Sequence, residues 1–279
     1  MTERFLAVIS SIGPPITLAT ALLLYFGWAR TDAQAKAMGI DVSVFEYSAQ
    51  DYALRSVTAL YSPLIVLLVS GLLWNAADIV LRGSASRAPR QIATTGTTAI
   101  VAGFVVIVAA VSTEAIAPPA ASLFAPYAMA LGLLIVLWGF RLQRVATAGG
   151  GRRRIEGRAI TWTLAFSLVA LLLFWGTADF AQALGRRLAS DYATTVERLP
   201  RTTVFSSFRL HIDAPGVDET RELAASTITY RYSGLRLLVL SGDRYILLND
   251  GWTAETGTIV VLRDDQSVRF EFATADRAQ

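Results

Sequence analysis

Three acidic residues interrupt otherwise apolar stretches of this 279-residue chain: Asp78, Glu114 and Asp179. A carboxylate inside a membrane is costly and by default marks a proton or cation pathway. Each of these three falls near the end of its apolar block, where interfacial water solvates it. Asp78 also precedes Arg82 by four residues, the spacing of a helical ion pair. The interfacial reading is therefore preferred, with a pathway as its rival. His211 and Asp213 share one face of an alternating segment, but no nucleophile or second acid joins them, so they read as a solvated pair. Arg209, Arg231, Arg236, Arg244 and Arg269 form a candidate anion-binding face, because guanidinium forks match carboxylate or phosphate. Alternating strands carry such charges on a solvated face too, and that reading is adopted. Trp252 follows the turn Asn249-Asp250-Gly251 and is the aromatic expected at a contact surface, since loops on rigid scaffolds carry binding. The alternative places it at the end of a small core.

The residue inventory narrows the chemistry. There is no cysteine and a single histidine, which excludes disulfides, thiolate metal sites and a cysteine nucleophile, and leaves no material for a histidine metal cluster. None of the sequence patterns of a P-loop, a dinucleotide fingerprint, a zinc protease helix or a nucleophile elbow occurs. The expectation is a non-enzymatic protein with no cofactor. Lys36 is the only lysine among 25 basic residues, a bias of GC-rich coding that reads as bacterial ancestry. The net charge is only +3 and the arginines gather beside apolar blocks, which points to membrane topology and away from nucleic acid.

Positioning these residues falls to two kinds of element. Hydrophobic residues make up 53% and charged residues 17% of the chain, with a mean hydropathy of +0.46, unlike a soluble domain. About 20 apolar residues cross a bilayer, and five blocks reach that length: about 5–29, 57–81, 92–113, 122–140 and 159–184. Gly13-Pro14-Pro15 predicts a kink in the first, and Pro118-Pro119 a tight hairpin between the third and fourth. Ten basic residues lie on the face holding Arg4, 82–90 and the Arg-rich loop 141–158, against seven on the other. The positive-inside rule then predicts a cytoplasmic N-terminus and an extracytoplasmic C-terminal domain.

The loop 30–56 is patterned. Ser43-Val44-Phe45-Glu46 and Ser48-Ala49-Gln50-Asp51 both resemble capping boxes, the second starting a helix at about Ala49. From about Thr202 the hydrophobic period falls to two. Strands are expected through Val204, Phe208, Leu210 and Ile212, and at about 227–232, 235–240, 244–248, 257–262 and 267–272. They would build a small antiparallel sandwich or barrel over 202–273 that folds on its own, after a linker 186–201, for which a helical extension of the fifth block is one form, and before a tail 274–279. The whole reads as a transmembrane helical domain, 1–185, followed by an all-β domain.

Tyr25-x-Gly27-Trp28-x-Arg30-Thr31, Gly39-x-Asp41-x-Ser43 and Asp51-Tyr52-x-x-Arg55-Ser56 make one block. Gly234-Leu235-Arg236-Leu237-Leu238, Arg244-Tyr245-x-Leu247-Leu248 and Gly251-Trp252 make another. Together they resemble a group of uncharacterised multi-pass membrane proteins of actinobacteria, a resemblance that implies an organism class and carries no site residues. The expected role is a membrane protein that presents its β domain for interaction or sensing. Its partners would be the lipid bilayer and either a protein or further copies of itself. A subunit of an oligomeric channel or transporter, or an accessory subunit of a membrane enzyme, are the alternatives.

Overall fold

The computed structural model describes residues 2–85, 89–116, 123–147, 156–224 and 227–274. Among the described residues five helices come first: α1 (Thr2–Ala37), α2 (Ala49–Ala85), α3 (Pro89–Ile116), α4 (Ala125–Thr147) and α5 (Glu156–Thr195). A six-stranded antiparallel sheet follows. The chain divides into two compact units, but not at a single boundary. One unit is Thr58–Phe180, and the other joins Met1–Val57 to Ala181–Gln279. The segment 186–201 is helical as far as Thr195, as a continuation of α5.

Among the described residues three helices are long and apolar enough to cross a membrane: Thr94–Glu114, Ala125–Gln143 and Ile160–Arg198. A fourth qualifies if Ala49–Tyr61 and Pro63–Ala76 count as one span bent by 44°. Five spans are thus not supported. The proline ring removes a backbone donor and clashes one turn back, which accounts for the bend beside Pro63. The side chains of residues 1–15 of α1 lie outside the described residues, and of the remainder only residues 16–29 precede Arg30, Asp32 and Lys36. The helix itself runs unbroken through Gly13-Pro14-Pro15. Pro118-Pro119 and the Arg-rich stretch 149–154 lie outside the described residues.

Helices α3 and α4 pack by close backbone approach. Gly96 and Gly103 are seven residues apart, as are Gly132 and Gly139, and the pairs meet in antiparallel order. A methyl group on Gly103 would stand 2.6 Å from the Gly132 carbonyl oxygen, and one on Gly139 2.7 Å from that of Gly96. Small residues substitute here for the hydrophobic drive that lipid cannot supply. Hydroxyls at Ser112, Thr113 and Thr177 donate to carbonyls four residues back at 2.7–2.9 Å, so none is left unsatisfied in an apolar medium. Along α2, Leu64 to Val69 are each 42–57% exposed, a surface that suits hydrocarbon rather than water.

In the other unit the sheet order is β5-β4-β3-β1-β6, from β1 (Arg201–Ser206), β3 (Thr227–Ser241), β4 (Arg244–Asn249), β5 (Ile259–Arg263) and β6 (Val268–Ala273). Strand β2 (Asp218–Ala224) pairs with the first half of β3, and β4 with the second half. This is one open sheet, neither a sandwich nor a closed barrel. It curls strongly: Tyr245 of β4 and Phe270 of β6, three strands apart in the order, stack with centroids 3.8 Å apart. The curl encloses a core of Val204, Tyr232, Leu235 and Leu247, which Leu210, Ile212 and Val217 help to cover. The expected strand through Phe208, Leu210 and Ile212 ends at Ser206 instead, and Phe208 is half exposed.

Both faces of β4 are buried, with Ile246, Leu247, Leu248 and Asn249 in succession. Leu247 faces the curled interior. Ile246 packs on Ala35 of α1 and Phe45, and Leu248 packs on Met38, Ala189 and Val196. The sheet therefore shares its second core with the ends of α1 and α5 and with a 3-10 turn, Val42–Phe45. Residues 186–201 are part of that core.

Candidate functional site

The junction between helix ends and sheet gathers the polar side chains with the most defined geometry. It is built by local rules. Helix α1 stops in a Schellman motif: Ile40 N–H donates to the Ala35 carbonyl and Gly39 N–H to that of Lys36, at 3.0 and 3.1 Å, with Gly39 at φ 78°. Asp41 then caps the 3-10 turn by accepting from Ser43 N–H at 2.9 Å, and bonding to the Ser43 hydroxyl and then to that N–H holds its carboxyl below the usual range. Ser48 and Asp51 form the reciprocal box that opens α2 at Ala49, at 2.7–3.3 Å. Ser43 and Glu46 do not form the other expected box. Glu46 leaves the turn in the left-handed region, φ 48°, and its carboxylate reaches Arg244 at 2.5 Å.

Within this frame two arginines lie side by side. Arg30 donates to the Arg55 carbonyl at 2.7 Å, and Arg55 donates to the Tyr47 hydroxyl at 2.6 Å with its guanidinium 3.9 Å from that ring's centroid. Burial and then Arg55 hold Arg30 below the usual arginine range. Phe45 stacks on Tyr47 at 5.0 Å, and burial pushes the Tyr47 phenol up to about 12 although Arg55 works against it. The helices can come this close because Gly27 sits on the Tyr52 carbonyl and Gly185 on that of Arg30; a methyl group would stand 1.8 and 2.0 Å away. A second tie is Arg236, 4% exposed: it pairs with Asp250 and donates to the carbonyls of Glu197 and Leu199 at 2.8 and 3.1 Å. The arrangement is that of a fixed joint. No described group in it has the geometry of a nucleophile with its base.

The residues singled out from the sequence are dispersed. Trp252 is 1% exposed, enclosed by Met38, Ala189, Val196 and Leu248, with Gly257 against its indole. Its expected place on a contact surface is corrected to a core position, because the helix ends supply the apolar surface that a lone sheet would lack. The five arginines do not converge on an anion site. Each meets a carboxylate: Arg209 with Glu219, Arg231 with Glu222, Arg236 with Asp250, Arg244 with Glu46 and Arg269 with Glu271. His211 adopts φ 53° in an irregular segment, so it and Asp213 do not share a strand face. Glu114 closes the Thr94–Glu114 span and is half-buried. Asp179 is half-buried two residues from Thr177, whose hydroxyl lies 3.5 Å from that of Tyr127. The side chain of Asp78 is outside the described residues. Among the described residues no group of three or more potential ligands is placed to hold a metal.

Sequence reasoning singled out Arg236 and Arg244 but missed their partners, Asp250 and Glu46, which lie 14 and 198 residues away. The seven-residue glycine spacing in α3 and α4 was a signal that could have been found. Comparisons with protein-family models, with curated proteins and with solved structures find no match to this chain.

Proposed function

We propose that this is a non-enzymatic membrane protein that holds its β-sheet on a rigid helical seat, outside the membrane, for recognition of a partner. One observation carries the reading: the sheet is not tethered by a flexible linker but shares a core with α1, α5 and the loop 38–48. Ordering a platform beforehand reduces what a partner must immobilise on binding. The sheet also leaves Phe208, Leu223 and Phe272 half exposed or more, none of them in the clusters that seat it.

The same packing supports a topology. Phe45 and Ile246 share a core, so the loop 38–48 and the sheet belong on one face of the bilayer. An even number of crossings must then separate them. Helices α2, α3, α4 and α5 make four when the bent α2 counts as one. The arginines at 82–90 and 141–158 argue for a cytoplasmic location of those loops, and so for an extracytoplasmic sheet.

The test is co-purification of the full chain from native membranes. A stable heteromeric complex, lost on Phe208→Ser with Phe272→Ser while the protein still elutes as a folded species, is the expected result. A homo-oligomer whose ion flux disappears on Asp179→Asn would replace this reading with the channel.

A further inference from the structure

Among the described residues the sheet is bounded by β6 at one end and β5 at the other, with β2 flanking the first half of β3. Strand β6 pairs with β1 from Val268 to Ala273 without a register shift, and it contains neither proline nor lysine. Bulges, prolines and lysines are what blunt an edge strand, and an edge without them is a template for another strand.

The ladder fixes which backbone groups face that edge. One step beyond Ser206 and Val268, Ser207 N–H donates to the Ser267 carbonyl at 3.2 Å. Hydrogen-bonded pairs alternate along an antiparallel ladder, so Arg269 and Glu271 bond inward to β1. Val268, Phe270 and Phe272 turn their N–H and C=O groups to the open edge. Side chains alternate too. Arg269 and Glu271 share one face, 69% and 56% exposed and 3.0 Å apart, while Val268 and Phe270 pack on the curled core. Phe272, on the core side of the strand, is 48% exposed.

This edge is complementary to itself. An antiparallel partner centred on Phe270 sets Arg269 opposite Glu271 of a second copy, Glu271 opposite its Arg269, and Phe272 opposite its Val268. Opposite charges directly across such a pair stabilise it and like charges destabilise it. Centring the pair on Arg269 or on Glu271 would set like charges face to face. The other edges lack the match. In β2 the register that joins Glu219 to Arg221 also sets Asp218 against Glu222, and β5 carries Arg263 and no acid.

We infer that β6 pairs with β6 of a second copy of this chain, antiparallel about a two-fold axis at Phe270, joining two sheets into one. Main-chain hydrogen bonds hold the copies together, and the Arg269–Glu271 pairs set the register. The inference goes beyond recognition of another protein by the sheet. A chain that dimerises and binds no other protein would keep this inference and remove that reading.

Light scattering of the full chain in detergent, over a range of concentrations, reads the protein mass per particle. Wild type should dimerise. Arg269→Glu and Glu271→Arg each place like charges in both pairs between the copies, and each should raise the dissociation constant about tenfold. Mixed in equal amounts, the two variants should recover the wild-type dimer, because one edge then carries two acids and the other two bases. Damage to the fold of either chain would not be repaired by mixing. A wild type that stays monomeric, a dimer indifferent to both reversals, or a mixture no better associated than its components would each overturn the inference.

Discussion

Replacing Trp252 by alanine removes an indole that Met38, Ala189, Val196 and Leu248 enclose and against which Gly257 lies. A loss of about 3–5 kcal/mol is expected, the range for truncating a core aromatic. Its Nε1 is buried without a hydrogen-bond partner, so Trp252→Phe gives up no polar contact and should cost less than about 1.5 kcal/mol. Denaturant unfolding of the full chain in detergent measures both; equal, small losses would return Trp252 to a surface role. Tyr47 offers a pH signature. Its phenol is pushed up to about 12 in the fold against an ordinary 10. The neutral form is thus favoured by folding: the contribution is full below about pH 10 and is lost as the pH rises toward 12. Thermal midpoints should fall over that window, and fall less in Tyr47→Phe. An identical slope in the two proteins would contradict the burial of this hydroxyl.

Elements whose signals are local were legible in the sequence. The Ser48–Asp51 box starts α2 where expected, and β4, β5 and β6 lie within two residues of the runs that predicted them. Strand β2 was invisible because Asp218-Glu219-Thr220-Arg221-Glu222 has no apolar alternation and is exposed throughout; only pairing with β3 makes it a strand. The runs expected as two strands, 227–232 and 235–240, form one long β3 across Ser233-Gly234. Gly234, at φ 85°, bends the strand where β2 hands over to β4, and a methyl group there would stand 1.9 Å from the Gly216 carbonyl. The surroundings of Trp252 and Arg236 escaped because they come from helix ends far along the chain. The α3–α4 pair supplies the prediction at this scale. Gly103→Leu places a side chain where a methyl already meets the Gly132 carbonyl at 2.6 Å, so the hairpin must separate. Cysteines at Thr97 and Gln143, whose side chains are bonded at 3.2 Å, should cross-link readily in an otherwise unaltered chain and several-fold less with Gly103→Leu present. Undiminished cross-linking would mean that the glycines are not what sets the distance.

At the scale of the molecule, the seat of the sheet bears on how the chain folds and on the topology proposed for it. A segment 199–279 expressed alone exposes Ile246, Leu248 and Trp252, which the helix ends otherwise cover. With about 60% of its surface buried at best, it should show no cooperative unfolding. A sharp transition matching that of the whole protein would restore the self-sufficient domain that the alternating strands suggested. Shared packing also ties the loop 38–48 to the sheet, and this is the claim on which both topology and function depend. The chain has no cysteine, so single cysteines at Ser43, Gly150 and Ala254 can each be probed with a membrane-impermeant maleimide in intact cells. Ser43 and Ala254 should label and Gly150 should not. Labelling of Ser43 and Ala254 from opposite faces would contradict the account.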